Sequence, residues 1–247
     1  MKGLILAGGY GTRLYPLTID IPKPLLEVAG KSILTRLLEK LEQVPSCNEI
    51  YIVTNAKFYE KLESWRIKSK FRFPVSIVND MTTSNDDRLG AIGDINLVLG
   101  AKKPHEDIVI MAGDNLFEFD IRDFVKFSEE KKGLSVALFD VSDKELAKRY
   151  GIVSVDKNSK ITNFQEKPAL PQSTLASTGI YYLPGSKITR IGEYMKTSNS
   201  KDAPGNFVRW MSETEGAFGF VFTQGWYDIG DILSYERANA EYKTKKI

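Results

Sequence analysis

A chain of 247 residues, 42% hydrophobic and 27% charged, suits one large globular domain that needs no disulfide or metal to hold its core. A net charge of +2 provides no broad basic field, so nucleic acid is not an expected partner. Cys47 and His105 are the only residues of their types, which excludes an internal disulfide and a multi-cysteine zinc site. Any Ser–His or Cys–His mechanism would rest on His105, in the polar run KKPHED that reads as a solvated loop.

The apolar run Gly3 to Ala7 predicts a strand that leads straight into Gly8, Gly9, Tyr10 and Gly11. Glycines let the backbone turn tightly and let a ligand approach with no Cβ in the way. Successive backbone N–H groups in such a turn form a concave anion site. Leu6, Ala7 and Gly8 to Thr12 are therefore candidates for a phosphate-bearing ligand. Arg13 would supply a forked cation, and Lys23, between Pro22 and Pro24, a point charge. The dinucleotide fingerprint is excluded, because Leu14 stands where its third glycine belongs and Pro16 would break the following helix. The P-loop is excluded because no G-K-[ST] closes the turn. A plain strand–turn is the competing reading, and the attached cations weigh against it.

Ser32 to Gln43 has Ile33, Leu34, Leu37, Leu38 and Leu41 at helical spacing, with Ser32 as N-cap. Glu49 to Asn55 predicts a buried strand, Phe58 to Lys70 a charged helix, and Val75 to Asn79 a third strand. This order predicts parallel strands joined by helices. The polar stretch that follows ends in Leu89, Gly90 and Gly93, with Asp94 as a candidate cap for a helix through Leu99. Asp107 to Gly113, nearly all apolar, predicts a central fourth strand. Asp120 to Lys132 reads as an amphipathic helix with Ile121, Phe124, Val125 and Phe127 inward. Leu134 to Val141 is another strand, and Ser142 with Glu145 fits a capping box that starts a short helix to Tyr150. Gly151 to Asp156 and Ile161 to Glu166 then alternate as a hairpin, followed by a strand at Ser177 to Leu183. Helices are expected at Ser186 to Thr197 and Asn206 to Glu213, a strand at Ala217 to Thr223, and a final helix at Asp231 to Lys246 with Leu233, Arg237 and Ala240 along one side.

Ligands in open α/β sheets bind at the carboxyl ends of strands. Asp114, after the central strand and a glycine, is therefore a candidate Mg²⁺ ligand, since Mg²⁺ takes one or two carboxylates plus phosphate oxygens and water. Asp228 is an acidic residue inside the apolar run WYDIG, and burying a lone carboxylate is costly unless it is paired or metal-bound. Trp226 beside it reads first as a core aromatic. Glu166 and Lys167, at a strand end, read on their own as a solvated surface pair.

LAGGYGTRLYPLT with PKPLLEVAGKSIL resembles the signature of the sugar-1-phosphate nucleotidyltransferases, the glucose-1-phosphate thymidylyltransferase type among them. The resemblance implies a Rossmann-like three-layer αβα sandwich of the nucleotide-diphospho-sugar transferase type. Its mostly parallel central sheet would carry a smaller antiparallel region on the sugar side. Residues 1–133 would form the nucleotide half, 134–230 the sugar half and 231–247 a C-terminal helix, without the left-handed β-helix domain that some relatives append.

The implied reaction joins an NTP, dTTP or UTP favoured, to a sugar 1-phosphate, glucose 1-phosphate favoured, with release of pyrophosphate. By resemblance Arg13 grips the leaving pyrophosphate, Lys23 the α-phosphate and Lys167 the attacking phosphate, while Asp114 and Asp228 share Mg²⁺. Leu89, Gly90 and Gly93 would line the base, although LGAIGD departs from the form associated with thymidylyl enzymes. Asn115, Gly151, Glu166, Thr178, Gly179 and Trp226 would line the sugar. A cytidylyltransferase for another alcohol phosphate and a non-catalytic NDP-sugar sensor stay open beside this reading. No membrane-length apolar run and no export signal are present, so a cytoplasmic protein is expected, and a homo-oligomer is compatible with the sequence.

Overall fold

Strands that are apolar on both faces need cover on both faces, and this chain supplies it by alternating strands with helices. The computed structural model describes residues 1–244. In chain order these form β1 (Lys2–Ala7), β2 (Glu27–Val28), β3 (Lys31–Ser32), α1 (Ile33–Glu42), β4 (Glu49–Thr54), α2 (Tyr59–Lys68), β5 (Val75–Asn79) and α3 (Ala91–Lys102). There follow β6 (Ile108–Ala112), β7 (Asn115–Phe117), α4 (Ile121–Lys131), β8 (Leu134–Asp140), α5 (Lys144–Ala147), β9 (Gly151–Val155), β10 (Ile161–Glu166) and β11 (Leu175–Leu183). The last described elements are α6 (Thr189–Met195), α7 (Pro204–Thr214), β12 (Ala217–Phe222), β13 (Trp226–Asp228) and α8 (Ile232–Thr244).

Nine strands make one sheet, in the order β10-β9-β11-β6-β1-β4-β5, with β8 paired to β11 and β12 to β8. β6, β1, β4 and β5 run parallel, as the strand–helix repeat predicts. Successive residues of β1 face opposite sides. Ile5 and Ala7 pack with Leu34, Leu37 and Leu38 of α1 and Phe124 of α4, whereas Leu4 packs with Ile92 and Ile95 of α3 and Phe207 of α7. Two cores on the two faces of one sheet give the three-layer α/β sandwich.

The sheet changes character at β11, which is antiparallel to β6, β8 and β9. Ile180 to Leu183 pair with β6, but Leu175 and Ala176 pair with β9 instead. The register breaks between Ser177 and Tyr181, where Gly179 has φ +74°. An L residue there would be strained, and its Cβ would lie 2.9 Å from that of Ala112 at the end of β6. This break parts β11 from β6 where the chain leaves β6 for Asp114, and the β9–β10 hairpin fills the other flank.

Several local expectations are corrected. The cap before α5 is Asp143, whose Oδ1 accepts the Glu145 and Leu146 N–H groups, and Ser142 takes φ +55° instead. Asp94 is not a cap: Gly90 precedes α3, and Asp94 lies inside its first turn, 6% exposed. Phe127 is only half-buried, and Ser128 takes the inward place beside Phe124. Leu233, Arg237 and Ala240 do share a side of α8, but it is the exposed one. Ala238 is buried, with Ile232, Tyr235 and Tyr242 packed on the core. Residues 245 and 246 of that expected helix lie outside the described residues. Among the described residues no helix is long and apolar enough to cross a membrane.

Candidate active site

The glycine loop is held from behind. Thr54 Oγ1 donates to the Ala7 carbonyl at 3.2 Å, Asn55 Nδ2 to that of Gly8 at 2.9 Å, and Thr18 Oγ1 to that of Gly11 at 2.7 Å. With those carbonyls tied back, the N–H groups of Gly9, Tyr10 and Gly11 take no acceptor among the described residues. Gly11 adopts φ +64°, which turns the chain into the short helical turn carrying Arg13. Unpaired amides in a tight turn suit an anion. They line a cleft of about 430 Å³ together with Leu6, Lys23, Asp114 and Gly230. Ala7 is buried in the core and contributes only backbone.

The opposite wall is built by β7 and β13, a two-stranded ribbon absent from the sequence expectations. Asp228 pairs with Asn115 across it, and the Ile229 N–H donates to the Asp114 carbonyl at 3.0 Å. The ribbon thus brings two aspartates, 114 positions apart in sequence, into one electrostatic unit. Lys23 Nζ donates to Asp114 Oδ2 at 2.7 Å, and Asn115 Nδ2 to Asp114 Oδ1 at 2.7 Å. Burial opposes the Asp114 charge, but Lys23 and Asn115 outweigh it and hold this carboxyl below the usual range. Burial and the Asp114 charge push Asp228 up to about 6, against the pull of Lys23 and Arg13. A Cβ on Gly230 would lie 3.7 Å from both Arg13 Nη1 and Asp228 Oδ2, so the arginine reaches the same spot. Two carboxylates beside a phosphate-sized anion site fit the oxygen ligands of Mg²⁺, with Lys23 placed where a cation already balances Asp114. No cluster of three or more metal-ligating side chains occurs among the described residues, so phosphate and water would complete the shell.

The nucleotidyl transferase family matches residues 2–245. The chain belongs to this family. A UTP–glucose-1-phosphate uridylyltransferase of Synechocystis sp. is 31% identical over 248 residues, 96% of this chain but 62% of that protein. The chain therefore spans less than two thirds of that relative. A structure from Bacillus anthracis, assigned as a glucose-1-phosphate thymidylyltransferase in complex with sucrose, superposes with a TM-score of 0.83. It is 28% identical and covers 98% of this chain and 94% of its own. Apo UDP-glucose pyrophosphorylase, at 20% identity, also reaches 0.83 and covers 100% of this chain and 99% of its own, which supports the fold alone.

The candidates expected on the sugar side are brought together less completely. Lys167 has φ +43°, and its N–H donates to the Tyr150 carbonyl at 3.0 Å, which ties Glu166–Lys167–Pro168 to Tyr150–Gly151. The Phe164 ring, with Glu166 Oε2 beside it, fills the space a Cβ would need on Gly151 or Gly205. Burial raises the Glu166 carboxyl against the pull of Lys167 and Arg209. Gly179 lies beside Asn115, whose Nδ2 would be 3.6 Å from a Cβ there. Thr178 is 1% exposed and its hydroxyl donates to the Ala137 carbonyl, so its side chain serves the core. Trp226 is half-buried, as the core reading expects, yet its Nε1 donates to Asn115 Oδ1 at 2.7 Å and helps orient that amide.

Leu89 lines an outer hollow with Ser200 and Lys201 instead of the main cleft. Gly93 faces Leu89 Cβ, and Gly90 abuts the backbone of Lys201 and Asp202. The carbonyls of those two residues accept the Ile92 and Ala91 N–H groups, so the segment before α7 caps α3.

Sequence reasoning missed Thr18, Asn55, Asp80 and Arg149. The first two act through loop carbonyls, for which no side-chain pattern exists. Arg149 joins Arg13, Trp226, Asp228 and Arg237 around a neighbouring hollow of about 340 Å³. Its adjacency to Tyr150–Gly151 was the signal available.

Proposed function

We propose that this chain transfers the nucleotidyl group of an NTP, dTTP or UTP favoured, to a sugar 1-phosphate, glucose 1-phosphate favoured, giving an NDP-sugar and pyrophosphate. One observation carries the reading: the free loop amides, Arg13, Lys23 and the Asp114–Asp228 pair converge at the carboxyl ends of β1 and β6. That arrangement suits a polyphosphate. The names of the Synechocystis and B. anthracis relatives support the choice of base and sugar.

The sugar phosphate oxygen attacks the α-phosphorus in line, the α–β phosphoanhydride bond breaks, and pyrophosphate carries away the charge. The attacking phosphate is already ionised, so no side chain must move a proton, and catalysis is positioning plus charge neutralisation. The loop amides of Gly8 to Thr12 cradle the phosphates, and Arg13 stabilises the leaving group. Lys23 moves its charge from Asp114 to the α-phosphate when the nucleotide enters. Lys167 orients the attacking phosphate, and Glu166 accepts sugar hydroxyls alongside Asn115 and Trp226. Asp114 and Asp228 would hold Mg²⁺, which when bound supplies Lewis-acid neutralisation of phosphate oxygens.

Release of pyrophosphate with four NTPs against a panel of sugar 1-phosphates and alcohol phosphates is the test. Turnover with UTP or dTTP and glucose 1-phosphate is expected to lead. Binding of an NDP-sugar with no pyrophosphate released from any pair would leave only a sensor.

A further inference from the structure

Beside the glycine loop, on the wall of the same cleft, lies a second acidic pair to which the transfer reaction gives no role. Asp80 follows β5, Asp94 lies in the first turn of α3, and the two carboxyls come together beside Gly8 at 7% and 6% exposure. Both reach Gly8. A Cβ on Gly8 would lie 2.5 Å from Asp94 Oδ2 and 3.1 Å from Asp80 Oδ2, so the loop keeps glycine there because the pair occupies the space. The pair is tied to the loop a second time. Asp80 Oδ1 accepts the Thr82 N–H and hydroxyl, both at 2.7 Å, and Thr82 Oγ1 meets the Tyr10 hydroxyl at 3.2 Å. One chain of contacts therefore runs from Gly8 through Asp94, Asp80 and Thr82 back to Tyr10.

Two buried carboxyls this close repel when both are ionised, and one proton turns the repulsion into a hydrogen bond, because an ionised carboxylate can only accept. Asp94 Oδ1 is buried with no partner, which further disfavours a charge on that residue. Burial, the Asp80 charge and their mutual hydrogen bond push Asp94 up to about 7. The other titratable groups that act on Asp80 or its network are Asp87, on the loop after β5, and the Tyr10 phenol. Asp87 is itself held by Thr83 and Ser84. Arg88, the cation of this wall, is engaged by Asp202 at 3.0 Å, and no cation acts on Asp94 among the described residues.

We propose that Asp80 and Asp94 are positioning residues for the phosphate loop and share one proton whose loss weakens NTP binding. The inference rests on the reading that Gly8 to Thr12 hold the NTP phosphates. Removing the proton breaks the shared hydrogen bond, drives the two carboxylates apart and moves Gly8 and Tyr10 with them. It also puts a second negative charge on the wall of the cleft that would take a polyanion. Linkage then requires the converse: where the free protein has lost the proton, NTP binding takes one up.

The test is calorimetry of UTP with Mg²⁺ binding to the full chain at about pH 8, in buffers of different ionisation enthalpy, beside the KM for UTP from about pH 6 to about pH 9. Wild type is expected to take up as much as about one proton. Its KM for UTP should climb toward tenfold per pH unit at the alkaline end, roughly the one-proton limit, while the KM for sugar phosphate stays flat. Asp94→Asn and Asp80→Asn should each abolish the uptake and flatten the UTP profile. Titration of UTP itself is common to all three proteins, so the difference belongs to the pair. UTP binding without proton uptake in wild type, or the same slope in both variants, overturns the inference and leaves the loop reading intact. No UTP binding at any pH overturns both. Where one substitution fails to fold, the other carries the comparison, and absence of uptake in wild type overturns the inference without any variant.

Discussion

Two pairs of aspartates stand on either side of one glycine loop, and they differ in their company. Asp114 has Lys23 at 2.7 Å, and Asp228 feels Lys23 and Arg13. Asp94 has Asp80, Gly8 and an unfilled oxygen. The same side chain is accordingly held below its usual range at Asp114 and pushed up to about 7 at Asp94. A carboxylate beside a fixed cation stays ionised, and exchanging that cation for another costs little. A carboxylate whose neighbour is a second buried carboxyl keeps a proton instead. One pair is suited to a metal and the other to a hydrogen bond, although nothing in the residue type distinguishes them.

The largest effects should come from breaking the metal-facing pair. Asp114→Asn or Asp228→Asn should each lower Mg²⁺-dependent pyrophosphate release by about 10³-fold, several kcal/mol of transition-state stabilisation. Because the two act as a unit, the double variant should be little worse than either single. Turnover of Asp228→Asn within a few-fold of wild type would remove that residue from the pair. Chelating the metal should abolish turnover to a similar degree.

Next comes the cation that separates the two environments. Arg13→Ala should cost roughly 10²-fold in kcat, like the loss of one transition-state donor. The melting temperature should hardly move, since Arg13 is exposed. A large loss of stability with little loss of rate would make Arg13 a structural residue.

Glu166 offers a third environment, a half-buried carboxyl with Lys167 and Arg209 nearby but no second aspartate. Glu166→Gln should raise the KM for sugar phosphate by roughly tenfold and leave that for NTP alone, as expected when uniform binding is removed. Lys167→Ala should lower kcat as well. If both variants weaken only NTP binding, the sugar has been assigned to the wrong wall.

The last effect falls on folding and is spread over a pH window, with no large change at any one pH unit. Asp94 titrates higher in the folded chain, at about 7, than in the unfolded one, so its contribution is fully present below the unfolded value of about 4 and is lost as pH rises through about 7. Denaturant unfolding should show stability falling by about 1 kcal/mol per pH unit across that window from this group alone. Asp94→Asn should remove that slope. An unchanged slope would mean that Asp94 is already ionised.

Much of this molecule was written in short stretches of chain. Gly8 to Gly11 after an apolar strand, Lys23 between prolines, Asp114 after a central strand and Asp228 among aromatics could each be singled out because their chemistry depends on adjacent residues. The strand–helix order likewise implied the parallel sheet, since each amphipathic face must find cover nearby. Other features had no local signal. Asp94 looked like a cap, because an acidic residue near the start of a helix usually is one. Only packing of α3 against β1 and β4 turned it inward to Gly8 and Asp80. The β7–β13 ribbon that unites Asp114 with Asp228, and the Asn55 and Thr18 ties that free the loop amides, likewise join distant segments. Sequence by itself determined which side chains could carry charge and where the backbone could bend. The tertiary structure decided which charges meet, and so which carboxyl is ionised, because burial and neighbouring charge belong to a place in space and not to a position along the chain.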